Sequence, residues 1–222
     1  MATSAGRLLV GCCCALAMVV HPARTAGAAT DPKSIITTPP TLSQEEELRQ
    51  GGIVVHHVNR HPIYHLDVYG MIEAPFDTVW GAVTSFDEYH QFLPLVVESG
   101  IRRRHSGSTW QYVKMQPPWP LHAHWMVNIN VENRSSGIVS WTMADGNLRF
   151  ERGYWHMRSY GTNRTRLQYH LTVDPWLDIV PGWLIEFGTR QVLPNVIKGV
   201  RQRVKQSFQK GFSPPREEEL TA

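Results

Sequence analysis

The sequence predicts an α+β fold: a curved antiparallel sheet of about six to seven strands wrapped on one long C-terminal helix, with two short helices after the first strand. Three observations predict it. Segments between residues 95 and 173 alternate at period two, the mark of strands with one covered and one wetter face. Short turn sequences join them, and short joins make neighbours antiparallel. The one long stretch at helical period comes last, over residues 181–210. A sheet must cover its apolar face, and this is the only long amphipathic helix available. Curved strands around one helix leave space that the helix does not fill, so a tunnel is expected between them.

Composition agrees with one folded unit. A chain of 222 residues, 42% apolar, can bury roughly 70% of its unfolded surface in one core. Charged residues are 18%, and 8 Trp, 7 Tyr and 7 Phe argue against wholesale disorder. The formal charge of +3 lacks the concentrated basic stripe of a nucleic-acid binder, so no nucleic-acid partner is expected. No repeat is visible that would suggest a solenoid or propeller.

Residues 1–28 read as a signal peptide. Arg7 supplies the positive start, Leu8 to Val20 is a run of 13 apolar or small residues, and Ala26-Gly27-Ala28 is an A-x-A cleavage site. The run is too short to span a bilayer, which takes about 20 residues. Cleavage would leave Ala29 first and an exported protein, periplasmic or extracellular. Leu9-Val10-Gly11-Cys12 also resembles a lipobox, but only four apolar or small residues precede Cys12. Cys12, Cys13 and Cys14 all lie in this segment, so the mature chain has no disulfide, thiolate nucleophile or Cys-ligated zinc. Losing Arg7 and Arg24 leaves 20 basic and 19 acidic residues, so bulk steering by charge is weak.

The elements follow in order. Residues 29–50 form a linker or arm, Thr/Pro/Ser-rich at first, with a short helix from Glu45 to Gln50 stopped by Gly51-Gly52. Ile53 to Ile72 is β-branched-rich and makes one long bent strand or two. Pro75 then opens a helix whose Phe76, Val79, Trp80 and Val83 share a face. Ser85-Phe86-Asp87-Glu88 reads as a capping box for a second short helix ended by Pro94. Strands are expected at 95–104, 108–115, 121–132, 137–143, 148–159 and 164–173. In the cleanest of them Ala123, Trp125, Val127, Ile129 and Val131 face one way, and His122, His124, Met126, Asn128 and Asn130 the other. The final helix carries Val196, Ile197, Val200, Val204 and Phe208 on one stripe, while Trp183, Leu184 and Phe187 project on another azimuth. Pro194 therefore divides it into two limbs meeting near Leu193. Residues 213–222 form a disordered acidic tail.

Two stretches carry a family resemblance. They are Gly70-Met71-Ile72-Glu73-Ala74-Pro75-Phe76-Asp77-Thr78-Val79-Trp80 and Phe86-Asp87-Glu88-Tyr89-His90-Gln91-Phe92-Leu93-Pro94. With the final helix, they resemble the START-like superfamily, also called SRPBCC, which includes Bet v 1, polyketide cyclases and coenzyme Q-binding proteins. The resemblance covers residues 51–212, taken as the lipid-binding domain. It implies the helix-grip fold of START and Bet v 1 proteins. The motifs are structural and specify no reaction, since that superfamily holds both carriers and enzymes.

The site residues expected on this basis are aromatic and aliphatic. Trp110, Tyr112, Trp125, Trp141, Trp155, Tyr169 and Leu171 lie on predicted strands, with Trp183, Leu184 and Phe187 on the covering helix. They either wall an apolar ligand cavity or fill an ordinary core. Arg152, His156 and Arg158 alternate with Glu151, Trp155 and Met157, and the cost of burying charge favours Trp155 and Met157 facing in. His122 and His124 share one strand face about 6.5–7 Å apart, but solvated surface histidine is the better reading and no metal site is expected. There is no G-x-S-x-G motif. Carboxylates near the pocket are scarce: Glu73, Asp77, Asp174, Asp178 and Glu186, the last turned to solvent by the kink or buried as an acid. Arg102-Arg103-Arg104, with Lys198, Arg201, Arg203 and Lys205, offers a weak basic patch for transient membrane-surface contact.

The resemblance implies binding or carriage of a hydrophobic small molecule, a lipid or isoprenoid, with no cofactor and no catalytic residue. The segment from Pro175 to Phe187 would act as its gate. The alternatives are a cyclase- or hydrolase-like enzyme using the same cavity, and a partner-binding module with a filled core.

Overall fold

The computed structural model describes residues 37–209, apart from 61, 120 and 175–180. The expected signal peptide, the acidic tail, Asp178 and the first part of the expected gate, residues 175–180, lie outside the described residues.

Eight strands form one antiparallel sheet, more than the six or seven expected. They are β1 (Ile53–Arg60), β2 (Ile63–Ile72), β3 (Val96–His105), β4 (Ser108–Met115), β5 (His124–Asn133), β6 (Ile138–Gly146), β7 (Phe150–Ser159) and β8 (Thr165–Asp174). The extra strand arises because the run from Ile53 to Ile72 folds back on itself, pairing Arg60 with Ile63 and Ile53 with Gly70. The order is β1-β2-β8-β7-β6-β5-β4-β3. The chain crosses from β2 to the far edge at β3 through two short helices, α2 (Phe76–Thr84) and α3 (Tyr89–Phe92). Irregularities in register at Val96/Glu98, Ile101/Arg103 and Val127/Asn128 bend the far half of the sheet, as bulges do.

Between the two helices the capping box is not formed. The Ser85 hydroxyl donates back to the Gly81 carbonyl at 2.7 Å, closing α2 instead of opening the next helix. Residues 86–88 make one 3₁₀ turn, and Glu88 is engaged by Arg203 from the last helix. A genuine capping box opens α1 (Leu42–Arg49) within the arm: Thr41 N–H donates to the Gln44 side chain at 2.9 Å, and Gln44 N–H to the Thr41 hydroxyl at 3.4 Å. Leu48 of α1 packs with Val54, Tyr69 and Met71 on the outer face of the sheet. Thr41→Ala should cost α1 about 1 kcal/mol, seen as faster amide exchange over residues 44–49.

The C-terminal limb divides where Pro194 predicts. α4 (Gly182–Phe187) runs into a π-helical turn at Gly188–Val192 and then into α5 (Leu193–Gln209). Leu193 N–H reaches back to the Gly188 carbonyl, and Pro194 has no N–H to continue the ladder. Val196, Ile197, Val200 and Val204 of α5 are buried against β2, α2 and α3, whereas Phe208 is exposed. The close approach needs Gly199: a Cβ there would lie 2.0 Å from the Phe92 carbonyl oxygen. Arg201 ties the helix to the sheet edge, donating to the carbonyls of Met71 and Gly51 at 3.0 Å each. The main core lies between α5, α2 and the inner faces of β2, β7 and β8.

Candidate functional site

Which residues face the hollow follows from strand parity. On β8, Leu167, Tyr169 and Leu171 point in; on β7, Glu151, Gly153, Trp155 and Met157 do. Trp155 and Met157 face inward as expected, with His156 and Arg158 on the other side. On β4 and β5 the register pairs Val113 with Met126, Gln111 with Asn128 and Thr109 with Asn130, and these six are the buried set.

The expected orientation of β5 is therefore inverted. Its polar residues face the interior, while Trp125, Val127, Ile129 and Val131 face out, Trp125 at 37% exposure. Two causes make this affordable in free energy. Two of the three inward amides are paired: Gln111 donates to the Phe86 carbonyl at 2.7 Å, and Asn130 to the Gln111 side chain at 3.2 Å and the Thr109 carbonyl at 3.3 Å. Outside, guanidinium groups cover the aromatic faces, with Arg103 3.9 Å from the ring centre of Trp110 and Arg102 4.7 Å from that of Tyr112. Tyr112 in turn stacks with Trp125.

The hollow has two adjoining compartments. The inner one, about 110 Å³, is walled by Trp141, Trp155, Tyr169, Met126, Val113 and Val196. The outer one, about 440 Å³, lies under α4 and the π turn, against Leu66, Leu121, Leu148, Leu184, Ile185 and Phe187. Met115, Glu151, Leu171, Val192 and Leu193 line both and form the waist.

Of the ten expected wall residues, Trp141, Trp155, Tyr169, Leu171, Leu184 and Phe187 come together around these compartments. Trp110, Tyr112 and Trp125 lie on the outer face of the sheet, and Trp183 is 48% exposed on the outer side of α4. Their strand and helix parity, set by register, turns them away. His124 is also displaced from expectation: it is half-buried on the wall of the outer compartment, beside the exposed His122, because β5 turns its polar face inward. Burial pushes the His124 imidazole pKa down. Among the described residues no three His, Cys, Asp or Glu side chains converge as a metal set would.

The carboxylate of the site is one that sequence reasoning passed over. Glu151 is 7% exposed. Trp141 Nε1 donates to its Oε1 at 3.1 Å, and Asn128 Nδ2 to the same oxygen at 3.5 Å. Burial pushes its carboxyl up to about 7 from the ordinary 4.5, while the hydrogen bonds from Trp141 and Asn128 pull the other way. Burial and the nearby Glu151 also raise the phenol of Tyr169. Gly153 makes the Trp141 contact possible, since a Cβ there would lie 2.4 Å from the Trp141 ring. No lysine or arginine lines either compartment among the described residues. The carboxylates singled out earlier are elsewhere. Glu73 pairs with Arg164, Asp77 with Arg134 and Glu186 with Arg190 at the surface, and Asp174 is buried at the end of β8. Arg203 pairs with Glu88 and Arg201 caps carbonyls, so the basic patch of the last helix is partly spent on structure.

The comparisons with known proteins agree with this architecture. The family model described as polyketide cyclase / dehydrase and lipid transport matches residues 72–201. Human STARD10 is similar in structure, with a TM-score of 0.57 and 13% identity, covering 84% of this chain and 90% of its own. A STAR-related lipid transfer protein from Xanthomonas axonopodis gives 0.55 and 16%, covering 69% of this chain and 93% of its own. The Zhui aromatase/cyclase from Streptomyces sp. R1128 gives 0.55 and 11%, covering 66% and 96%. No curated protein matches the chain by sequence.

Proposed function

Since the chain belongs to the polyketide cyclase / dehydrase and lipid transport family, we propose that it is a non-catalytic carrier holding a lipid or isoprenoid between the sheet and its C-terminal limb. The observation that carries this reading is the hollow itself: an outer compartment of about 440 Å³ walled mostly by aliphatic and aromatic side chains, adjoining the inner compartment through five shared wall residues. That size is within the roughly 300–1,000 Å³ of ordinary small-molecule sites. Binding would draw on the apolar ligand surface removed from water, at about 25 cal/mol per Å². α4 forms the lid-side wall through Leu184, Ile185 and Phe187, so ligand entry would pass by it. Export is part of the proposal and rests on the sequence of residues 1–28. Transient contact with a membrane would use the exposed Trp183 and the arginine-covered outer face at Trp110 and Tyr112.

Native mass spectrometry of the protein purified from its own host tests the reading. A retained apolar mass, released by organic solvent, is the expected result. Protein that emerges empty and fails to take up any lipid or isoprenoid would overturn it.

One observation favours a second reading. Glu151 is a buried carboxyl on the wall of a mostly apolar hollow, its pKa raised by burial to about 7, the range of a general acid or base. On that reading the protein is a cyclase- or dehydrase-like enzyme, and turnover of a ketide that is lost in Glu151→Ala would establish it.

A further inference from the structure

The polar groups at the waist and in the inner compartment constrain what the apolar hollow can accept. Asn128 is 5% exposed and lines the inner compartment. Its Oδ1 is buried and has no hydrogen-bond partner. A buried amide oxygen left empty is costly, and a ligand that fills it recovers that cost. The neighbouring Gln111 and Asn130 are already committed to the Phe86 and Thr109 carbonyls and to each other, so the vacancy belongs to Asn128 alone among these three amides. Beside it stands Glu151, linked to Asn128 Nδ2 and lining both compartments.

We propose that the hollow selects an uncharged alcohol with an apolar body, seated head-first so that its hydroxyl meets Glu151 at the waist and Asn128 just inside it. This rests on the carrier reading above and names the ligand chemistry of that site. The hydroxyl hydrogen goes to Asn128 Oδ1, the acceptor that stands empty. The hydroxyl oxygen accepts from the protonated Glu151 carboxyl, which burial keeps in its acid form up to about pH 7. A carboxylate head supplies no hydrogen to Asn128 and must leave water for an apolar hollow, with no lysine or arginine on either wall among the described residues to offset its charge. An ammonium head must shed its water into the same apolar surroundings. The titratable groups that share the walls with Glu151 are Tyr89 and Tyr169 inside and His57, Tyr64, His122 and His124 towards the outer compartment. The apolar body fits the outer compartment, against Leu66, Leu184, Ile185 and Phe187.

Four probes of equal chain length test this at about pH 6, below the pH at which Glu151 gives up its proton: decan-1-ol, decanoate, decylamine and decane. Trp141 and Trp155 line the inner compartment, so intrinsic fluorescence reports occupancy. Decan-1-ol is expected to bind about tenfold or more tighter than either charged probe, the value of one good hydrogen bond. Asn128→Leu should lower decan-1-ol affinity about tenfold and leave decane unchanged. If a charged probe equals the alcohol, or if the leucine variant keeps full alcohol affinity, the proposal fails while the carrier reading stands. If none of the four binds, both fail. Should the variant not fold, the ranking of the probes on the unaltered protein decides alone.

Discussion

Glu151→Gln should flatten the pH dependence of stability between 4.5 and about 7, and should raise stability above that range by about 3 kcal/mol. The sign follows from proton counting. In the unfolded chain this carboxyl loses its proton near 4.5, whereas in the folded protein burial holds the proton until about 7. Between these values the folded state binds the extra proton, so rising pH favours unfolding. The carboxyl's stability contribution is complete below 4.5 and is lost as pH climbs through about 7. Beyond that, the wild-type protein carries an ionised carboxylate with two hydrogen bonds and, among the described residues, no lysine or arginine on the compartment walls. Glutamine keeps an oxygen for Trp141 and offers an N–H to the empty Asn128 oxygen, with no charge to desolvate. Urea midpoints for both proteins across this range check the prediction. Histidine titrations appear in both curves and cancel in their difference. Parallel profiles would show that the carboxyl is not held as the structure places it.

Much of the fold was legible because its signals are local and redundant. Pro75 and the Phe76–Val79–Trp80–Val83 stripe mark α2, and Pro194 marks the division of the last limb, which the structure realises as a π turn at Gly188–Val192. The family motifs around Gly70 and Phe86 sit on β2, α2 and α3, where they pack against α5. The site was less legible. Alternation shows that a strand has two faces, but choosing the inner one by hydrophobicity assumes that polar residues prefer water. On β5 that assumption fails, because Asn130 and its neighbour Gln111 find backbone partners inside, while arginines shield Trp110 and Tyr112 outside. Register with β4 decides the matter, and register is a long-range property. Glu151 is a different case. Its signal was present, since it shares the parity of Trp155 and Met157 on β7. Treating those two as inward commits Glu151 to the interior as well, and only the habit of placing charge outside hides it.

The outer face holds a second buried polar cluster, and Asp67→Ala should cost about 3–5 kcal/mol of stability there. Asp67 Oδ1 accepts from His170 Nδ1 at 2.9 Å and from Gln168 Nε2 at 3.0 Å, and Oδ2 accepts from the Thr38 backbone N–H at 3.3 Å. His170 is fully buried, stacked on Tyr154, and its Nε2 meets the Thr172 hydroxyl at 2.9 Å. Alanine removes three acceptor contacts at once and leaves the buried His170 Nδ1 without a partner, while Gln168 Nε2 keeps the Tyr69 and Tyr154 hydroxyls. Two effects should separate. The arm at Thr38, also held by Tyr69 and His56, should exchange its amides faster, and the β2–β8 pairing should weaken. The second effect reaches the hollow, because Leu66 beside Asp67 and Leu171 beside His170 are cross-strand partners whose side chains line its walls. Asp67→Asn keeps acceptor capacity on its amide oxygen and should lose less than half as much. A double-mutant cycle with His170→Ala should show coupling of about 1–3 kcal/mol, as expected for residues of one network. Equal losses for Asp67→Asn and Asp67→Ala, with no coupling to His170, would mean that the pair merely fills space between β2 and β8.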